Sequence, residues 1–170
     1  MKKFLIFSVI GILIISIVAC GSDDETATKV DGEKKEVEKV ENKEFSVGES
    51  IELKGTQLTV TNVEKVQAGE YDFIKDGHEY LVATVEIKNN GSSNISYNPY
   101  DFKLKNSNGN MVDVEFVSVN QNNNLESGEL APDGTVSGTL AFEAPIGDEN
   151  LQLIYTPSFW SDKNITVNLQ

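Results

Sequence analysis

Residues 45–170 predict an all-β fold, an antiparallel β-sandwich, on three observations. Apolar and polar residues alternate with period two through most of this stretch, clusters of Asn, Asp, Gly and Pro interrupt the alternation, and no segment after residue 45 shows a convincing 3.6-residue period. Short strands that are apolar on one face bury those faces by packing two sheets together. Eight or nine strands are expected, at about 45–53, 57–66, 78–89, 94–97, 100–105, 111–119, 135–143, 150–156 and 164–169.

The elements follow in chain order. In 78–89, Leu81, Ala83, Val85 and Ile87 share one face, with Thr84, Glu86 and Lys88 opposite. Tyr100, Phe102 and Leu104 alternate with Asp101, Lys103 and Lys105. Val136, Leu140 and Phe142 form the apolar series of 135–143, and Leu151, Leu153, Tyr155 and Ile165, Val167, Leu169 repeat the device. Asn89-Asn90-Gly91-Ser92, Asn106-Ser107-Asn108-Gly109-Asn110, Pro132-Asp133-Gly134 and Pro145-Ile146-Gly147-Asp148 are the turns between them.

The first 44 residues have a different character. Lys2 and Lys3 precede the nearly unbroken apolar run Phe4–Val18, short for a membrane-spanning helix and suited to the apolar region of a signal peptide. The run ends Ile17-Val18-Ala19-Cys20-Gly21, which resembles a bacterial lipobox. Residues 1–19 are therefore expected to be a lipoprotein signal peptide, cleaved between Ala19 and Cys20. The Cys20 thiol takes a diacylglyceryl group, the freed amine is open to a further acyl chain such as palmitate, and two or more chains anchor stably. Cys20 is the only cysteine, so no disulfide can form within the chain.

Residues 20–44 are expected to be a disordered tether behind the lipid: 21–44 hold nine acidic residues and five Lys against three Val, too little apolar surface to offset chain entropy. As a coil those residues average roughly 27 Å end to end. Fully drawn out they reach about 80 Å. The whole chain carries a net charge of -13, and loss of Lys2 and Lys3 with the signal takes it to -15. That charge argues against nucleic acid as a partner and against anionic lipid headgroups.

Several motifs in order resemble the DUF4352 family of bacterial lipoproteins: Phe45-Ser46-Val47-Gly48-Glu49, the stretch from Gly77-His78-Glu79-Tyr80 to Asn89-Asn90, Asp101 to Gly109, Leu130 to Gly138, Phe142-Glu143-Ala144-Pro145 and Leu151 to Tyr155. The resemblance covers essentially all of 45–170. It implies an immunoglobulin-like sandwich, similar to MPT63/telokin-like domains, common in Gram-positive lipoproteins. It implies no activity and brings no catalytic residues.

The residues themselves point to no enzyme, cofactor or metal. His78 is the only histidine and lacks a free Cys beside it for zinc or triad chemistry. Asn106, Asn108, Asn110 and Asp113 faintly resemble a calcium loop but lack the bidentate Glu that closes one. Glu79, Glu86, Glu115 and Glu143 fall on strands and are expected on solvated faces. Two polar loops hold aromatic pairs, Tyr71 with Phe73 and Phe159 with Trp160. Covering the open ends of the core is the more ordinary role for these four. An exposed binding patch is the other, and it makes them the candidate binding loops. The function expected is a lipid-anchored, extracytoplasmic, non-catalytic binding module on a Gram-positive membrane. Its partner would be an envelope protein or cell-wall component. The alternatives are a cation- or small-solute-binding lipoprotein and a structural subunit of an envelope assembly.

Overall fold

The structure, a computed structural model, describes residues 28–29, 44–120, 123–156 and 164–170. Ala19, Cys20, Phe159 and Trp160 lie outside the described residues. The strands are β1 (Thr28–Lys29), β2 (Glu44–Ser46), β3 (Ser50–Leu53), β4 (Thr56–Val66), β5 (His78–Asn89), β6 (Ile95–Tyr97), β7 (Phe102–Lys105), β8 (Met111–Asp113), β9 (Gly128–Leu130), β10 (Thr135–Pro145), β11 (Gln152–Tyr155) and β12 (Ile165–Asn168). Two five-stranded sheets, β1-β3-β4-β5-β10 and β2-β12-β11-β7-β8, form the sandwich, and β6 pairs with β9 in a small ribbon. Every pairing between strands is antiparallel except β2 with β12, which is parallel.

The expected single strand 45–53 is two strands in different sheets. Gly48 takes a φ of +86°, which favours glycine, and the turn there moves the chain from one sheet to the other. Phe45 stays buried opposite Val167, and Ile51 is buried opposite Leu58. The two-residue turn Lys54-Gly55, both at positive φ, then closes the β3–β4 hairpin.

The inner face of β5 follows the alternation, with Leu81, Ala83, Val85 and Ile87 fully buried. They share the core with Phe102, Leu104, Leu153, Tyr155, Ile165 and Val167 of the other sheet. Phe102 and Tyr155 stack with ring centroids 4.4 Å apart. Asn89 closes β5 as a buried joint: its Nδ2 donates to Ser93 O and Leu130 O, and its Oδ1 accepts from Gly91 N.

Three expectations are corrected. The outer face of β5 is also covered at one end, where Tyr80, Val82, Val117 and Ala141 pack with Val66, Ala68 and Ile74. That cover takes Glu143 out of solvent, and Glu79 is buried as well, near Lys65 at 3.6 Å. Residues 111–119 are not one strand: β8 stops at Asp113, a single bridge joins Glu115 to Ala141, and a 3-10 turn occupies Ser118–Asn120. Within the expected disordered tether, Thr28–Lys29 pairs antiparallel with Glu52 and Ile51 on β3. An edge strand leaves backbone groups open to such pairing.

Candidate interaction surface

Loop 67–77 joins β4 to β5 and is pinned from below. The Asp72 carboxylate accepts from Gly69 N at 3.0 Å, from Ser118 N at 2.7 Å and from Ser118 Oγ at 2.8 Å. The Ser118 backbone bond, chiefly, holds this carboxyl below the usual carboxylate range, so it stays ionised at neutral pH. A Cβ at residue 69 would lie 2.5 Å from Ser118 Oγ, so the close approach of the two loops requires glycine there.

The second pin is Tyr80, whose OH donates to Phe73 O at 3.0 Å. Burial pushes its phenol above the usual value, with the charges of Glu115, Asp72 and Glu143 adding to the effect, so Tyr80 acts as a neutral donor. The third is Lys75, whose Nζ lies 3.0 Å from Glu143 Oε1, with His78 Nε2 at 3.9 Å. Oε1 is buried and makes no aligned hydrogen bond, so the ion pair with Lys75 compensates its burial. Burial also raises the Glu115 carboxyl, the Glu143 charge adds to this, and Lys75 and Tyr80 oppose it.

The backbone of the loop is thus held while its rings point away. Phe73 is 95% exposed and Tyr71 79%, and between and beside them Asp72 and Ile74 turn inward. Neither ring covers the core, which excludes the more ordinary role expected of them. On the partner segment, Phe116 is exposed and meets Tyr100 edge-on at 6.0 Å, and Val119 is also exposed. Tyr100 was expected on the inner face of a strand. It lies instead in the 3-10 turn Pro99–Asp101, capped by Asn98 Oδ1 on Tyr100 N at 2.9 Å. The signal for this was Asn98-Pro99, which starts a turn rather than a strand. Nothing in the alternation marked Phe116 as outward.

A separate surface feature is concave and polar. A groove of about 370 Å³ is lined by Glu44, Lys105, Asn106, Gln152, Asn168 and Gln170, among others. Its groups satisfy one another: Gln152 Nε2 donates to Glu44 Oε1 and Asn168 Oδ1, and Asn168 Nδ2 to Glu44 Oε2. Those bonds, Asn168 first, hold the Glu44 carboxyl low. Asn106, weighed above as part of a calcium loop, uses its Oδ1 to accept from Asn108 N and Asn110 N. Among the described residues no three of His, Cys, Asp and Glu come together as a metal site.

The model of a family described as a domain of unknown function, DUF4352, matches residues 45–165. The chain belongs to the DUF4352 family. Among its relatives, the uncharacterized lipoprotein YjhA of Bacillus subtilis (strain 168) is 32% identical over 130 residues, which is 69% of this chain and 61% of that protein's length. The crystal structure of the Bacillus subtilis yjhA protein aligns with a TM-score of 0.61 and 27% identity, covering 74% of this chain and 99% of that one. The ycdA protein of Bacillus subtilis subsp. subtilis str. 168 aligns with a TM-score of 0.60 and 23% identity, over 67% of this chain and 36% of its own. At that identity the likeness is one of fold alone. In this DUF4352 domain the Asn89-Asn90 pair expected to end a long strand is a structural joint, with Asn90 Nδ2 donating to Gln57 Oε1 and Glu52 Oε2.

Proposed function

We propose that this protein is a membrane-anchored lipoprotein, held outside the cell membrane by a lipid on Cys20. Its DUF4352 sandwich then serves as a non-catalytic module that docks an envelope protein through the ring-bearing surface. The observation that carries the docking role is Phe73, 95% exposed on a loop whose backbone Tyr80 fixes at Phe73 O. A fixed loop presents a large apolar ring at little further cost in conformational entropy, which is what an interface anchor needs. The lipid anchor is supported by Ile17-Val18-Ala19-Cys20 and by the lipoprotein YjhA among the relatives.

The experiment is photo-crosslinking on intact cells, with benzoylphenylalanine at position 73 of the full-length lipidated chain and, as a control, at position 152 in the polar groove. A discrete adduct from position 73 alone, lost when Tyr71 is also changed to Ala, is expected. An adduct from position 152 and none from 73 would overturn the docking reading. Separately, Cys20→Ser should release the protein from the membrane fraction or leave it unprocessed, and normal retention of that variant would sink the anchor.

A further inference from the structure

Strand β1 gives the domain a direction relative to its anchor. Thr28 pairs with Glu52 and Lys29 with Ile51, antiparallel, so the chain enters β1 from the side of Leu53 and the Lys54-Gly55 turn. The neighbouring strands carry that level across the sheet, with Glu52 opposite Gln57, Gln57 opposite Lys88 and Lys88 opposite Thr135. The turns beside it are polar. Asn90 N donates to Gly55 O and Asn89 N to Gly134 O. None of the exposed large apolar side chains among the described residues lies in 54–55, 89–93 or 131–135. Loop 67–77 leaves the same sheet at its opposite end, after Val66, which lies opposite Tyr80. Ile146, also exposed, is tied there by its N–H to Gly77 O at 3.0 Å. Lys88 and Tyr80, the two levels on β5, are about 26 Å apart along the strand.

That length competes with the lead from the membrane, since Cys20 to Thr28 spans at most roughly 28 Å. Setting the rings on the bilayer would require the lead to turn back at Thr28 and run the whole of this strand length. The drawn-out lead would then have almost nothing left for the turn or for the reach of the loop beyond Tyr80. Lying flat would press a chain of net charge -15, without its signal, against anionic headgroups, which repel it. We propose that β1 holds the domain upright, with the 54–55 and 89–93 turns toward the bilayer and Tyr71, Phe73 and Ile146 at the membrane-distal tip. The bilayer that carries the anchor is then not what these side chains touch. Their occupant is an envelope protein whose contacting part stands clear of the membrane by the height of the domain. This rests on the anchor and the docking role proposed above and names the side from which the partner comes.

The test uses the full-length lipidated chain in nanodiscs of phosphatidylcholine and phosphatidylglycerol in equal parts, with rhodamine on some of the lipid. Ser92→Cys and Asp76→Cys, both exposed and beyond opposite ends of β5, are labelled separately with a donor dye, Cys20 being closed by its lipid. Energy transfer to the lipid should be at least about twofold more efficient from position 92 than from position 76, as a height difference of about 26 Å requires. Inserting about sixteen Gly and Ser residues after Gly21 lengthens the lead, leaves β1 in place and should bring the two efficiencies together. Thr28→Pro with Lys29→Pro, which removes the N–H donors of β1, should do the same. Equal transfer with the natural lead, or stronger transfer from position 76, would overturn the inference, as would a difference that survives both variants. A chain that does not stay in the nanodisc sinks the anchor and the orientation together. The crosslink at position 73 keeps the docking role apart: a protein adduct there with equal energy transfer sinks the orientation alone, and a lipid adduct sinks both.

Discussion

Asp72 and Asp148 clamp two loops by the same means. Each accepts from the backbone N–H and the hydroxyl of one serine, Ser118 at 2.7 and 2.8 Å for Asp72 and Ser107 at 3.0 Å for both bonds of Asp148. Each also accepts from a neighbouring N–H, of Gly69 or Asn150. The surroundings differ. Ser107 follows the C-terminal end of β7, among amides that bond to one another; Tyr100, which meets Phe116, precedes the N-terminal end of β7 on the ring-bearing surface. One clamp ties down a turn whose polar groups are satisfied, and the other ties down a loop that leaves Tyr71 and Phe73 without cover. The clamp alone therefore does not mark a functional site. What distinguishes the two clamped loops is how much apolar surface is left in water once the backbone is fixed.

Perturbations can separate the two clamped loops or show them to be one unit, since Ile146 N of the second also donates to Gly77 O of the first. The largest effect is expected from Leu104→Ala, since Leu104 is fully buried on β7. It should cost about 2–5 kcal/mol in urea denaturation. Probes in the two loops should report one coincident transition, and two separate transitions would mean the loops unfold independently. Next comes Gly69→Ala, which places a Cβ 2.5 Å from Ser118 Oγ and 3.0 Å from Asp72 Oδ2. It should destabilise by about 1–3 kcal/mol and disturb the ring-bearing loop, as shifts of the Tyr71 and Phe73 resonances would show. Gly109→Ala, at a φ of +80° with open space around it, should cost about 1–2 kcal/mol from backbone conformation alone and leave those resonances in place.

Acidification offers a finer contrast. Burial pushes the Asp148 carboxyl up, but the hydrogen bonds from Asn150 and Ser107 outweigh it and its value is lowered, as is that of Asp72. Stability from both clamps is therefore present above the usual value of 3.8 and lost as pH falls through the lower folded values. Glu115, next to Phe116 in the chain, has the opposite sign. Its raised folded value means that stability is gained as pH falls through that value toward the usual 4.5. Glu115→Gln should remove this gain on mild acidification, and Asp148→Asn should reduce only the loss in stronger acid. Urea midpoints between pH 7 and 3 distinguish the two; a matching change in both variants would erase the contrast. The smallest expected effect on stability is that of Phe73→Ala, within about 0.5 kcal/mol, because the ring is 95% exposed. A larger cost would mean that the ring packs on the domain in solution.

Period two made the inner faces legible, and Leu81 to Ile87, Leu151 to Tyr155 and Ile165 to Leu169 lie where the alternation puts them. It did not reveal the split of 45–53, because Phe45 and Ile51 both face inward from different sheets and Gly48 alone carries the turn. Strand β9, Gly128–Leu130, is too short to show a period. The second cluster around Tyr80 was hidden for another reason: part of its cover comes from loop residues Ala68 and Ile74, which no expected strand includes, and part from Val117, in a segment expected as a strand that does not form one. At the candidate site, Tyr71 and Phe73 stand out in the sequence as an aromatic pair in a polar loop. Their exposure depends on Asp72 reaching Ser118, 46 residues away in sequence. A contact at that separation leaves no trace in local spacing.

The pairing of β1 with β3 changes how an anchor would act on the domain. With a lipid on Cys20, the chain joins the sheet edge at Thr28, after a lead of at most roughly 28 Å when drawn out. A leash free as far as Glu44 would allow about 80 Å. The two-residue antiparallel contact, Thr28 with Glu52 and Lys29 with Ile51, is then a mechanical clip in series with the membrane. Tension on the anchor loads that clip before it reaches the sandwich. Its opening would break only this two-residue pairing, while the core strands stay closed.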